Sequence, residues 1–291
     1  MTVLTTLISI IFLLIIIIGI VIFCFPKQLI HLMNSLHAKT AKVERKVINI
    51  NGYEAHYFIS RNLPHKQTLV LLHGMVDDKN SFLQTCKTLS KHYNLILPDL
   101  LGHGENTRKN ELEYSIEAQT IFLHTLLTKL GIKKCNLVGV SMGGHVSALY
   151  ALKYPNVVKK LILINTAGIE LDNHSVYTDL GQDTYAKEKF NKMFSKLYYK
   201  VPKLPFSFKK FMINKINEDL NFIDNTLLPS IRKGKYYNLK PHIYNITVPT
   251  LILKGEYDVV IPSIIAECFH KDISGSEFQI VKNCAHSPQL E

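Results

Sequence analysis

A serine with small neighbours stands at the junction of two sequence patterns. The apolar run 135–140 is typical of a buried strand, and a helical pattern follows at 142–154. Ser141 lies between them, flanked by Gly139 and Gly143. A tight strand-to-helix turn exposes a serine hydroxyl, and the glycines leave room for the neighbouring backbone. Ser141 is therefore the candidate nucleophile.

A serine hydroxyl needs a general base within hydrogen-bond reach. Among thirteen histidines we favour His286, because it follows the last strand-like run, 277–281. An acid must orient the imidazole, and Asp258 follows the apolar run 250–253. Its rival Glu256 is interpreted as a solvated turn residue. All three candidates follow predicted strands, and the active sites of α/β sheets collect at the carboxyl ends of the strands.

An oxyanion that develops during acyl transfer needs two preorganised backbone donors. One candidate is the N–H of Met142, directly after the nucleophile. The other is the N–H of Met75, in the loop that follows the apolar run 68–72. His73 is interpreted as a support for that loop, and Asp99 as a residue that shapes a neighbouring turn.

The elements that must position these residues alternate between apolar runs and helical patterns. Asn51-Gly52 predicts a hairpin at the start. The alternation that follows predicts an α/β fold with a mostly parallel, doubly wound sheet. Predicted strands cover 68–72, 94–97, 135–140, 160–164, 250–253 and 277–281, and predicted helices 81–91, 115–130 and 142–154.

Residues 172–240 interrupt the alternation and contain no clear strand. We interpret them as a helical cap, or lid, inserted into a core formed by 46–171 and 241–291. The cap has 13 basic and 7 acidic side chains. Apolar residues at helical spacing between 190 and 201 predict an amphipathic helix. Its apolar face covers the site or also dips into a lipid surface, and the two interpretations are compatible.

The N-terminus, residues 1–26, is interpreted as a transmembrane anchor. Residues 3–25 carry no charge and would form about 34 Å of helix, long enough to span a bilayer. A cleaved signal peptide is the alternative, but the run is long and lacks a preceding basic residue and a small-residue cleavage site. Residues 27–45 are a basic connector, so the positive-inside rule predicts a cytoplasmic catalytic domain.

Composition limits the remaining classes. The chain has 291 residues and a net charge of +11. Its five cysteines form no C-x-x-C pair, and such scattered cysteines are typical of buried thiols in a reducing compartment. The sequence indicates no metal site and no organic cofactor. The net positive charge would also suit a nucleic-acid partner. However, basic residues lie beside the apolar span, so an anionic lipid surface is the favoured partner. The sequence does not predict an oligomeric state.

In combination, six motifs resemble the α/β-hydrolase family, above all its membrane-anchored monoacylglycerol lipases and related bacterial lipases. The resemblance implies a serine esterase or lipase for lipid-like esters, with Ser141, Asp258 and His286 as triad and Met75 and Met142 as amide donors. The motifs are His73-Gly74, Asp78-Lys79-Asn80-Ser81-Phe82, Asp99-x-x-Gly102-His103-Gly104, Gly139-x-Ser141-Met142-Gly143-Gly144, Gly255-x-x-Asp258 and Asn283-Cys284-Ala285-His286.

Two alternatives stay open. Carbon–carbon bond hydrolases of similar fold use the same three side chains on vinylogous diketones, and a non-catalytic membrane scaffold could have kept the fold. Dehalogenases and epoxide hydrolases are disfavoured, because they have aspartate where Ser141 stands. The sequence departs from the family at Ala285, which is usually glycine. Relatives also continue into a final helix, so we expect the five residues after His286 to hold its loop poorly.

Overall fold

The computed structural model describes residues 2–171 and 187–291. Part of the predicted cap, 172–186, lies outside the described residues. The strands form one sheet of eight in the order β1-β2-β4-β3-β5-β6-β7-β8. They are β1 (Val43–Ile50), β2 (Tyr53–Ser60), β3 (Gln67–Leu72), β4 (Tyr93–Pro98), β5 (Cys135–Val140), β6 (Val158–Ile164), β7 (Thr250–Gly255) and β8 (Glu277–Val281).

Strands β3 to β8 run parallel, and the β1–β2 hairpin is added antiparallel against β4. The hairpin turns at Asn51 and Gly52, which both have positive φ, as such a two-residue turn requires. In the parallel part, Ile164 is in register with both Val140 and Leu253. The strand ends are therefore aligned at one edge, and the mostly parallel α/β sheet predicted from the sequence is confirmed.

The residues that the structure describes form nine α-helices. They are α1 (Thr2–Cys24), α2 (Pro26–Thr40), α3 (Leu83–Leu89), α4 (Ile116–Lys129), α5 (Met142–Lys153), α6 (Lys187–Leu197), α7 (Phe206–Phe222), α8 (Leu228–Lys233) and α9 (Ser263–Asp272). A 3₁₀ turn at Lys79–Phe82 precedes α3, and a π turn at Ile223–Leu227 joins α7 to α8.

Two apolar cores result, because alternate residues of a strand face opposite sides of a sheet. The larger core contains Val70 and Leu137 from the strands and is covered by α4, α5, α8 and α9. The smaller core contains Leu71 and Val138 and is covered by α2 and α3. Helix α9 was not predicted from the sequence.

The N-terminal region consists of two successive helices. Val3–Cys24 is long and apolar enough to cross a membrane, with a mean hydropathy of 3.5, and it is not buried against the rest of the protein. The segment predicted as a basic connector is mostly helical, because α2 covers Pro26–Thr40. Its Ala38 is buried in the smaller core.

The described part of the inserted segment is helical and contains α6, α7 and α8. Helix α6 ends at Leu197, four residues before the end of the predicted amphipathic helix. Phe194 on α6 is buried, whereas Val201, beyond the helix end, is exposed. The apolar side of α6 is thus turned into the protein at Phe194.

Candidate active site

Ser141 occupies a strained turn between β5 and α5. Its φ of 54° and ψ of −118° are rarely adopted by a residue with a side chain. The turn is held because the Ser141 N–H donates to the carbonyl of Ile164 (3.0 Å). A Cβ at Gly139 would overlap the backbone of Gly143, so the sharp turn requires glycine there. The structure thus contains the tight strand-to-helix turn that the sequence predicted, and the role of Ser141 as nucleophile stays a prediction.

The start of α5 packs directly on the end of β3. A Cβ at Gly143 would overlap the carbonyl oxygens of Leu72 and His73. Met142 is the first residue of α5, where N–H groups have no partner within the helix. A Cβ at Gly74 would lie 3.3 Å from that of Ser141, so the loop that carries Met75 runs beside the nucleophile. The roles of the two amides as oxyanion donors stay predictions.

His73 supports this loop, as its interpretation required. Its ring is fully buried, and its Nε2 accepts a hydrogen bond from the Leu100 N–H (3.0 Å). The proton therefore resides on Nδ1, which donates to the carbonyl of Gly74 (2.7 Å). His73 thereby joins the turn after β4 to the loop after β3.

Asp258 and His286 come together at the carboxyl edge of the sheet. Their Oδ1 and Nδ1 atoms are 3.1 Å apart, and both residues are buried. The same Oδ1 accepts hydrogen bonds from the N–H groups of Val260 (2.8 Å) and Ile261 (3.2 Å). The carboxylate is thus fixed by backbone donors. It in turn contacts Nδ1 of the imidazole, so Nε2 is the ring nitrogen that this pair does not use.

A buried lysine also contacts this carboxylate, which the sequence interpretation missed. Lys254 lies in β7, and its Nζ is 2.9 Å from Asp258 Oδ2 and 3.0 Å from the Asp258 carbonyl oxygen. Burial alone would raise the pKa of Asp258, but attraction to His286 and Lys254 outweighs burial and lowers it. Burial lowers the pKa of Lys254. A lysine inside an apolar strand, four residues before the acid, was the available signal.

Asn165 is a second missed residue, and it links the nucleophile turn to the histidine loop. Its Nδ2 donates to the carbonyls of Ala285 (2.9 Å) and His286 (3.1 Å). Its Oδ1 accepts from the N–H of Gly255 (2.8 Å). The preceding residue, Ile164, holds Ser141. Consecutive residues at the end of β6 therefore position the candidate nucleophile and the candidate base.

Contrary to expectation, the described residues hold the His286 loop at several points. The Ser287 N–H donates to the carbonyl of Leu197 at the end of α6 (3.1 Å). Glu291 accepts from the N–H of Ala285 (2.7 Å) and, with its other oxygen, from that of Tyr199 (2.7 Å). The loop and the inserted helical segment are therefore tied together.

Other candidates lie in structural roles. Glu256 accepts from the Asn283 N–H and pairs with Lys282 at the surface. Asp99 is buried and paired with the ammonium of Lys79 (2.5 Å) and with its N–H (2.8 Å), which shapes the turn after β4. Within residues 2–171 and 187–291, no three His, Cys, Asp or Glu side chains cluster as metal ligands would.

Comparisons with known proteins support the fold. A family model described as the alpha/beta hydrolase fold matches residues 67–291. The monoacylglycerol lipase ABHD6 of Mus musculus is 27% identical, over 92% of this chain and 84% of the relative. Lipase 1 of Psychrobacter immobilis is 31% identical, over 77% of this chain and 73% of the relative. The crystal structure of a bacterial membrane phospholipase A is similar with a TM-score of 0.84 and 26% identity, over 99% of this chain and 93% of that one.

Proposed function

Because the chain belongs to the α/β-hydrolase fold family, we propose that it is a membrane-anchored serine hydrolase that cleaves carboxylic esters of lipid-like substrates such as monoacylglycerols. Hydrolysis of lipid esters is supported by the fold and by the lipases among its relatives. The serine mechanism is supported most directly by one observation. A buried Asp258–His286 pair (3.1 Å) lies at the sheet edge where Ser141 occupies its strained turn.

In the proposed reaction, His286 accepts the hydroxyl proton of Ser141 while the serine oxygen attacks the ester carbonyl. Nε2 is the accepting atom, because Nδ1 is engaged with Asp258. The buried carboxylate stabilises the imidazolium that forms. The imidazolium then returns the proton to the leaving alcohol, which departs and leaves an acyl group on Ser141.

The oxyanion is proposed to be held by the N–H groups of Met142 and Met75. The first belongs to the opening turn of α5, where the helix dipole also favours negative charge. The second lies in the loop that His73 fixes through Gly74. Water, deprotonated by His286, would release the acyl group by the same steps in reverse.

The apolar helix α1 and the inserted segment support both a membrane anchor and a lipid-like substrate. Helix α1 supplies a span, and the inserted segment 172–240 is proposed as a cap over the site. Lys27, Lys39 and Lys42 follow the span and are exposed. Basic residues at this place favour a cytoplasmic catalytic domain and an anionic lipid surface as partner.

Esters of graded acyl-chain length test the proposal on the full chain and on Ser141→Ala. We expect the substitution to lower kcat/KM by about 10⁴-fold or more. Equal turnover by the variant would exclude the serine mechanism. A vinylogous diketone in the same panel separates ester hydrolysis from carbon–carbon bond hydrolysis.

Ser147→Ala is the matched control. Ser147 lies on the same helix, and its hydroxyl donates to the carbonyl of Gly143 (2.7 Å). The control should keep turnover and should still react with a fluorophosphonate, which labels activated serines. Labelling that persists in Ser141→Ala and disappears in Ser147→Ala would contradict the assignment of the nucleophile.

A further inference from the structure

The junction between α1 and α2 fixes where α2 stands relative to the proposed span. Helix α1 ends at Cys24 and α2 begins at Pro26. Backbone hydrogen bonds run across the junction, from the Phe25 N–H to the carbonyl of Val21 (3.0 Å) and from the Leu29 N–H to that of Phe25 (3.1 Å). If α1 crosses a bilayer, α2 therefore starts at the membrane surface.

Helix α2 exposes apolar side chains on one side, and its opposite side packs on the smaller core. Leu32, Met33 and Leu36 are 50–55% exposed, and they share a face because Leu36 follows Met33 by three residues and Leu32 by four. Ala38, on the opposite side, is buried in the smaller core. The smaller core does not contain Leu32, Met33 or Leu36, and about half of each residue is open to solvent. These three residues are called the stripe below.

The cap joins this surface through an unusual hydrogen bond. In a regular helix the Ile22 carbonyl would accept from the N–H of residue 26, but Pro26 has none. The hydroxyl of Ser207, at the start of α7, donates to that carbonyl instead (2.8 Å). The neighbouring Phe206 is 60% exposed. The beginning of α7 thus lies at the level where the span ends.

We propose that Leu32, Met33, Leu36 and Phe206 form one membrane-docking surface, inserted at the boundary between headgroups and acyl chains of the bilayer that α1 crosses. This rests on the anchoring proposed above and deepens it, because it places α2 and one end of the cap on the lipid. An apolar face continuous with a span, flanked by the exposed Lys27 and Lys39, has the composition of an interfacial helix.

The chain contains no tryptophan, so one introduced tryptophan reports on its own site. Met33→Trp and Phe206→Trp in the full chain, reconstituted in vesicles of phosphatidylcholine and phosphatidylglycerol, test the surface. With lipids brominated on their acyl chains, we expect quenching of about half the emission or more, since interfacial helices bury about 5–10 Å deep. Melting curves verify that each variant is folded.

Two further variants make the result decisive. Ile121→Trp is the matched control, because Ile121 is 50% exposed on α4, which covers the other face of the sheet. Ile11→Trp, within α1, reports whether the span has inserted. Quenching at Met33 and Phe206 well above that at Ile121 supports docking.

Other outcomes overturn the proposal. Quenching at Ile11 without quenching at Met33 would leave the anchor intact and refute docking. A blue-shifted Met33→Trp emission that brominated lipid does not quench would mean that a second copy of the chain covers the stripe. Failure at Ile11 as well would refute both the anchor and the docking. Because none of these readouts uses turnover, they are independent of the ester-hydrolase proposal.

Discussion

The ammonium of Lys254 lies 2.9 Å from Asp258 Oδ2, on the side of the carboxylate opposite the atom that meets His286. Both side chains are buried. A buried cation at this distance compensates part of the carboxylate charge and also fixes its backbone, through a 3.0 Å hydrogen bond to the Asp258 carbonyl. The acid of the candidate triad is therefore shared between a lysine and a histidine.

Lys254→Met should move the acid limb of the kcat/KM profile to higher pH. Attraction to Lys254 helps to lower the pKa of Asp258, so without the ammonium the buried carboxylate takes up a proton at higher pH and no longer orients His286 as a base. Profiles of ester hydrolysis measure the shift. Lys282→Met removes an exposed lysine from a surface pair with Glu256 in the same region and should leave the limb in place. Superimposable profiles for all three proteins would contradict the assignment.

Asp77→Asn should stabilise the fold above pH 6. Burial, assisted by repulsion from Asp78, raises the pKa of Asp77 to about 6. Between its ordinary pKa and about 6, the folded state holds more protons than the unfolded state, so stability falls as pH rises through this window. The asparagine variant lacks this loss and should gain about 2 kcal/mol at pH 7. Unfolding at pH 4.5 and at pH 7 measures the difference.

The neighbouring Asp78 provides a control of opposite sign. Attraction to Lys215 lowers the pKa of Asp78 although burial opposes it. The stability that the ionised Asp78 contributes to the fold is present above its ordinary pKa, and it is lost as pH falls through the lowered pKa of the folded state. Asp78→Asn should therefore destabilise the protein at pH 7. A gain of stability at pH 7 in both variants would contradict the opposite pKa shifts of the two carboxylates.

Gly255→Ala should inactivate the enzyme by moving the histidine loop. A Cβ at residue 255 would overlap the carbonyl oxygen of Ala285, next to His286. A displacement of about 1 Å at a catalytic group can cost about 100-fold in rate, so kcat/KM should fall by at least that factor. Ala285→Gly is the control, because it removes only a methyl group and leaves in place the backbone carbonyl that the new Cβ would meet, so it should retain activity. Wild-type rates for Gly255→Ala would show that the loop is not set by this contact.

Ser207→Ala should loosen the cap at its contact with the anchor. The variant leaves the Ile22 carbonyl without the donor that Pro26 cannot supply, a loss of about 1 kcal/mol and about fivefold in local hydrogen-exchange protection of α7. Ser195→Ala is the control, because its exposed hydroxyl donates within α6, to the Lys192 carbonyl. Equal protection of α7 in wild type and Ser207→Ala would show that the bond carries no stability.

The sheet could be predicted because fully buried parallel strands are continuous apolar runs between helical patterns. The runs 135–140 and 277–281 coincide with β5 and β8. The segment that contains α2 was interpreted as a connector because of the basic residues that follow the span. In the structure its apolar residues Leu32, Met33 and Leu36 are exposed. A pattern that is read for burial misses a helix whose apolar face is exposed.

The candidate site was predictable where local sequence defines the geometry, as at the glycine-flanked Ser141. Pairing of Asp258 with His286 followed from their positions after strands. Asn165 was missed because its role depends on a contact with the His286 loop, which is far away in the chain. Lys254 lies only four residues before Asp258, and it was missed because a lysine within an apolar strand was not interpreted as a buried partner of the acid. Their residue types carry no such message by themselves.

The hydrogen bond between Ser207 and Ile22 uses a backbone carbonyl, and Pro26 is what leaves that carbonyl open. Any helical span that enters Pro26 would present the same acceptor, whatever its side chains. A chimera with an unrelated apolar helix before Pro26 should therefore keep this hydrogen bond, whereas the loss of Ser207 should remove it. The link between α1 and α7 at this point thus depends on the two residues of the junction and not on the side chains of α1.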